Sequence, residues 1–179
     1  MVEPRTSNLE PRTGFQGGFT LMELMVVIAI LSLIAGIVLP RLPSTESAKL
    51  RDSARSLASA IRFIGDRAAT TKTGYRLHLN ITDSTTRVRQ LSPSGEETAA
   101  DDPFLSRRPI AEGIIIEDVT IPQSGKISEG EVIIGFGPGG LQDFMIIHLK
   151  DGKNGHFTVT AYPSSGKVKV EKGYQEAAR

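Results

Sequence analysis

Gly17-Gly18-Phe19-Thr20-Leu21-Met22-Glu23 leads into sixteen residues, 24–39, that carry no charge. As a helix rising about 1.5 Å per residue, residues 19–39 reach about 30 Å, the thickness of a bilayer core. Only Thr20, Glu23 and Ser32 interrupt the apolar run, and its apolar residues lie on every face rather than along one stripe. A buried core helix is one alternative, disfavoured by that all-round apolarity. A conventional secretory signal is another, but Leu39-Pro40-Arg41-Leu42-Pro43 makes a poor small-residue cleavage site. The Glu23 carboxylate is costly in such a segment. It must snorkel to the headgroups or meet a partner, and in a stack of such helices that partner can be a neighbour's amino terminus.

The run Gly18-Phe19-Thr20-Leu21-Met22-Glu23, followed by Leu24-Met25-Val26-Val27-Ile28-Ala29-Ile30-Leu31, resembles the type IV pilin and type II secretion pseudopilin superfamily. The resemblance implies that a membrane aspartyl peptidase cuts after Gly18 and methylates the new amino terminus. Phe19 then becomes the first mature residue and Glu23 the fifth, with an assembly role. Position 17 is Gly where the family commonly has Lys or Arg, and the nearest upstream base is Arg12. Upstream, residues 1–18 are polar and rich in Pro and Gly, as in a flexible leader. The expected organisation is therefore a cleaved leader over 1–18, a membrane or filament-core helix over 19–40 and a head over 41–179. Counts of Lys and Arg on either side of the helix give no firm orientation. The resemblance supplies one: a single-pass inner-membrane protein with a periplasmic head.

The 179 residues include no cysteine, which excludes a disulfide framework and Cys-based metal sites. Charge is balanced at 21 Lys plus Arg against 20 Asp plus Glu, so no general attraction to nucleic acid or anionic lipid follows.

Beyond Pro40 and Pro43, where a helix break is expected, helical periodicity resumes. Leu50, Ala54, Leu57, Ile61, Ile64 and Ala68 recur at three- and four-residue steps among polar positions such as Arg51, Asp52 and Ser53. That spacing predicts an amphipathic helix over 44–70. The period then falls to two. Strands are expected at 75–81, 87–91, 113–121, 131–136, 143–149, 156–162 and 167–171, within a β domain over 75–171. Residues 92–109 read as a long polar surface loop, Gly137-Pro138-Gly139-Gly140 as the turn joining strands 131–136 and 143–149, and residues 174–179 as a loose tail. The fold class is α+β, with a long amino-terminal helix on an antiparallel sheet of six or seven strands.

Phe136, Pro138 and Gly140, and then Gly166-Lys167-Val168, resemble the minor pseudopilin H type and its minor-pilin relatives. The implied role is structural: a subunit of the type II secretion pseudopilus. Its partners would be other major and minor pseudopilins, the prepilin peptidase/N-methyltransferase, the inner-membrane assembly platform and exported proteins. The major-pseudopilin type fits less well, because no dense oxygen-ligand run suits a calcium loop. His78, His148 and His156 have no ligand spacing, and Gly135–Gly140 lacks the Lys-Ser/Thr of a phosphate loop. No nucleophile elbow or metal-protease helix occurs, so no enzyme activity and no cofactor are expected. The alternative is a DNA-uptake minor pilin, with a basic patch from Arg87, Arg89, Arg107 and Arg108 or from Lys167, Lys169 and Lys172.

Overall fold

In the computed structural model, residues 18–39, 45–163 and 165–176 are described. The leader over 1–17, the proline joint at 40–44 and the tail residues 177–179 lie outside them. The chain divides into two units, residues 1–42 and 43–179.

In the first unit the apolar run forms α1, Leu21–Val38. Thr20 caps it in extended backbone (φ −78°, ψ 149°), and its hydroxyl accepts the Glu23 N–H at 3.1 Å. Thr20 and Glu23 thus stand in the Thr-x-x-Glu spacing of a capping box, which satisfies a helix-start donor and contributes about 1 kcal/mol. No residue of α1 is buried. It is long and apolar enough to cross a membrane.

In the second unit, α2 spans Thr45–Thr71, and all six predicted stripe residues are buried. Ser53 and Ala58 join them. Ser53, read from sequence as a polar-face position, accepts the Ala111 N–H at 3.0 Å. It pins the chain just beyond the 92–109 connection to the helix.

The strands are β1 Tyr75–Asn80, β2 Thr85–Leu91, β3 Glu97–Ala99, β4 Ile115–Ile121, β5 Gly125–Ile127, β6 Glu131–Gly137, β7 Gly140–Leu141, β8 Met145–Lys150, β9 His156–Ala161 and β10 Val168–Lys172. They form two five-stranded antiparallel sheets, ordered β3-β2-β1-β6-β7 and β10-β9-β8-β4-β5. The α+β class holds, but the sheet is split, and three short strands (β3, β5 and β7) were not visible as periodicity. The 92–109 loop contains one of them, which pairs Arg89 with Ala99 and Leu91 with Glu97. It also sends Leu105 into the core.

The largest departure concerns β6 and β8, expected to be a hairpin. Gly137 pairs with Gly140 across a two-residue turn, so Pro138-Gly139 joins β6 to β7 within the first sheet. Gly140 takes φ +90° there, a conformation L side chains rarely adopt. The chain then leaves for the second sheet, where β8 lies between β4 and β9. The period of a strand carries no information about which sheet it joins.

The two inner faces and the α2 stripe share one core. Val132, Ile134 and Phe136 meet it from the first sheet, and Ile147, Leu149 and Val159 from the second. Every buried member of this core lies between Leu50 and Val168, so the head carries a complete core of its own. A bulge in β4 sets one detail of the second sheet. Ile116 pairs with Leu149 and Asp118 with His148, leaving Glu117 as the extra residue. Ile116 and Val119 thereby both face the core while Asp118 is turned to the opposite face.

Candidate functional site

The Gly18–Phe19 bond lies in non-helical chain just before α1, with Phe19 83% exposed. A Cβ built at Gly18 would meet nothing within 4 Å, and its φ is not in the left-handed region. Among the described residues, nothing packs against the position a side chain would take there. The Thr20 cap marks where the helix begins. Glu23 follows in the first turn of α1, exposed, with its backbone N–H held by Thr20. The positive end of the helix dipole also favours a carboxylate there. Glu23 thus stands at the helix start with its side chain exposed.

The arginines proposed for a basic patch do not come together. Arg87 and Arg89 alternate with Val88, which pairs with the core residue Leu77, so they project from the outer face of the first sheet. Arg107 and Arg108 instead rim a cleft of about 320 Å³ between α2 and the β2 edge, together with Arg55. The floor of this cleft is apolar, including Leu77, Val88 and Leu105. Arg107 stands 6.0 Å over the Phe104 ring. None of these three arginines forms an ion pair among the described residues. On β10, Lys169 lies on the outer face beside Glu171, at 3.9 Å, and Lys172 on the other. The second basic run is therefore interrupted.

A polar network on the outer face of the second sheet escaped the sequence reading. Asp118 is fully buried, and its Oδ1 lies 2.7 Å from His148 Nδ1. The Tyr174 hydroxyl donates to Asp118 Oδ2 at 3.0 Å, and the Lys126 ammonium lies 3.2 Å from the same oxygen. Lys126 also donates to the Tyr174 hydroxyl at 2.7 Å. That hydroxyl and the Asp118 carboxylate hold the Lys126 ammonium well above its usual range. The signal available in the sequence was β8 itself. Met145–Leu149 is buried on both faces, and His148 and Ile146 occupy the face that should be wet. A strand buried on both sides needs a cover, and part of that cover is Tyr174, a residue read as loose tail.

Residues 15–39 match the family described as the prokaryotic N-terminal methylation motif. No curated protein matches the sequence. The chain is similar to two solved structures of the minor pseudopilin EpsH from the type II secretion system of Vibrio cholerae. One has a TM-score of 0.58 at 10% identity, covering 70% of this chain and 97% of that one. The other has a TM-score of 0.54 at 11% identity, covering 69% and 97%. The likeness is one of fold. It places a helix followed by an antiparallel β head in the architecture of those minor pseudopilins.

Proposed function

We propose that this chain is a minor pseudopilin, a structural and non-catalytic subunit of a type II secretion pseudopilus that takes part in protein export across the outer membrane. Residues 1–18 would be its leader, 19–40 the membrane and filament-core helix, and 41–179 the periplasmic head. The observation that carries this reading is a coincidence within one chain. An exposed Gly18–Phe19 bond precedes a capped, all-round apolar helix bearing Glu23, in a protein whose head has a minor-pseudopilin fold. In the inner membrane α1 anchors the subunit, and the prepilin peptidase releases and methylates Phe19. In the filament, Glu23 pairs with the amino terminus of a neighbouring pseudopilin, so that neither charge is buried alone. The assembly platform and exported proteins are the remaining partners.

The test follows the protein in a secretion-competent cell. The processed chain should begin at Phe19 by mass spectrometry, and Gly18→Val should leave a precursor about 2 kDa larger, the mass of a leader of this length. Glu23→Lys should be processed, with a folded head, yet be missing from sheared pseudopili. Normal incorporation of Glu23→Lys, or an unshifted Gly18→Val band, would overturn the proposal.

A second reading, a minor type IV pilin that binds DNA, is favoured by one observation: the cleft rimmed by Arg55, Arg107 and Arg108. It requires binding of duplex DNA by the head that weakens steeply with salt, and a reduced slope in Arg107→Ala/Arg108→Ala.

A further inference from the structure

Gly173-Tyr174-Gln175 follows β10 and crosses the outer face of the second sheet. The Gly173 N–H donates to the His156 carbonyl at 2.8 Å, one step beyond the β10–β9 ladder. The Thr158 hydroxyl donates to the Gly173 carbonyl at 2.8 Å and accepts the Gln175 N–H at 2.9 Å. The Gln175 carbonyl faces His148 Nε2 at 3.0 Å. Between these backbone contacts the Tyr174 ring stacks on His148, with centroids 3.7 Å apart and planes 11° apart. Its hydroxyl sits between Asp118 and Lys126. Gly173 makes the turn at φ +93°, where any side chain would be strained.

The contacts fall into two kinds. Four of them read peptide backbone, in the turned form that Gly173 permits. A single phenol slot reads the side chain: an aromatic floor from His148, an acceptor from Asp118 and a donor from Lys126. The reading groups belong to the sheet and are fixed without the segment. Asp118 and His148 bond each other, and β4, β8 and β9, which carry Asp118, His148 and Thr158, are locked in one ladder. The segment itself supplies no residue to the core, whose buried members end at Val168. It can therefore leave its seat without opening the head. A preorganised receptor holding a detachable ligand is a binding site.

We propose that the outer face of the second sheet is a peptide-binding site for a Gly-Tyr-Gln segment, filled in cis by residues 173–175 and able to take the same segment of a second copy once its own has left. The sheet of one copy is complementary to the segment of another because the two copies are identical, so exchange creates no new type of contact. This holds whichever filament α1 enters.

The test uses the head, whose core is complete, cut back to residues 43–172. The probe is a fluorescein-labelled peptide with the sequence of residues 171–176. Its anisotropy should rise saturably with the truncated head. The same peptide carrying Tyr174→Ala should bind at least tenfold more weakly, and the intact head over 43–179 should bind little because its own segment holds the site. Equal binding of the two peptides, or none by a truncated head that still melts cooperatively, would overturn the proposal. Should truncation unfold the head, Tyr174→Ala in the intact head vacates only the phenol slot. N-acetyl-tyrosinamide should then shift the His148 ring signals in that variant and leave the unsubstituted head unchanged. No shift at millimolar probe would also overturn it.

Discussion

Replacing Asp118 by alanine removes an acceptor shared by three donors, and the structure indicates which of them suffer. His148 is 2% exposed, so its Nδ1 would be left facing no acceptor, at a cost of about 1–3 kcal/mol. The Tyr174 hydroxyl would lose its acceptor while keeping Lys126 as donor, costing about 1 kcal/mol. Lys126 is 54% exposed along its side chain and would simply rehydrate, costing close to nothing. The total, about 3 kcal/mol, agrees with the roughly 3–5 kcal/mol lost when one member of a buried pair is removed. At about 3 °C per kcal/mol for a head of this size, the melting temperature should fall by about 10 °C. Urea denaturation of the head with Asp118→Ala, Tyr174→Phe and the double variant gives the coupling. Because Tyr174 and Asp118 share one bond, the double variant should lose about 1 kcal/mol less than the sum of the singles. A loss below about 1 kcal/mol for Asp118→Ala, or full additivity, would refute the claim that this network holds the segment to the sheet.

Two glycines should respond unequally to alanine. At Gly155 the new Cβ would lie 2.6 Å from Asp151 Oδ2. That carboxylate is fixed by the Lys153 and Gly155 N–H groups, both at 2.8 Å, so about 1–3 kcal/mol should be lost. At Gly135 the methyl would press only on the exposed end of Gln142, which can swing away, and denaturation should show a loss under about 1 kcal/mol. Leu57→Ala, at the centre of the α2 stripe, should cost about 2–5 kcal/mol by the same measurement. The Glu97 carboxyl is held below its usual value of 4.5, chiefly by the Arg76 hydrogen bond, with His78 adding to it. A depressed carboxyl stabilises the fold above its unfolded pKa and loses that contribution as pH falls through the folded value. Glu97→Gln should therefore melt lower than the unsubstituted head at pH 7, and the gap should close on acidification below about pH 4.5. A gap that is constant down to pH 3 would count against the Arg76–Glu97–His78 cluster.

Much of the architecture was legible because it rests on local patterns. The α2 stripe from Leu50 to Ala68 was found residue by residue, since a 3.6-residue period is a property of the chain before it folds. In β1, Tyr75, Leu77 and Leu79 turned inward as their alternation required. The Gly18–Phe19 join is likewise local, a fixed order of residues in front of an apolar run. The Thr20–Glu23 cap is equally local, a Thr-x-x-Glu spacing at the helix start.

What failed to show depends on partners distant in sequence. β3, β5 and β7 are two or three residues long and exist only because β2, β4 and β6 offer them edges. The split into two sheets has the same origin, because a strand's alternation fixes which side faces the core and leaves open which neighbours supply its hydrogen bonds. The Asp118–His148–Tyr174 network joins residues as far as 56 apart in sequence.

The sequence alone determined a leader-like join, an all-round apolar helix and an α+β head, because side-chain period and residue order act over one or two turns of chain. Tertiary structure alone decided that Arg107 and Arg108 face a cleft apart from Arg87 and Arg89, and that residues 173–175 are seated on the second sheet rather than in a loose tail. Those outcomes follow from the pairing of strands across the two sheets, whose hydrogen bonds carry no mark in the order of the residues.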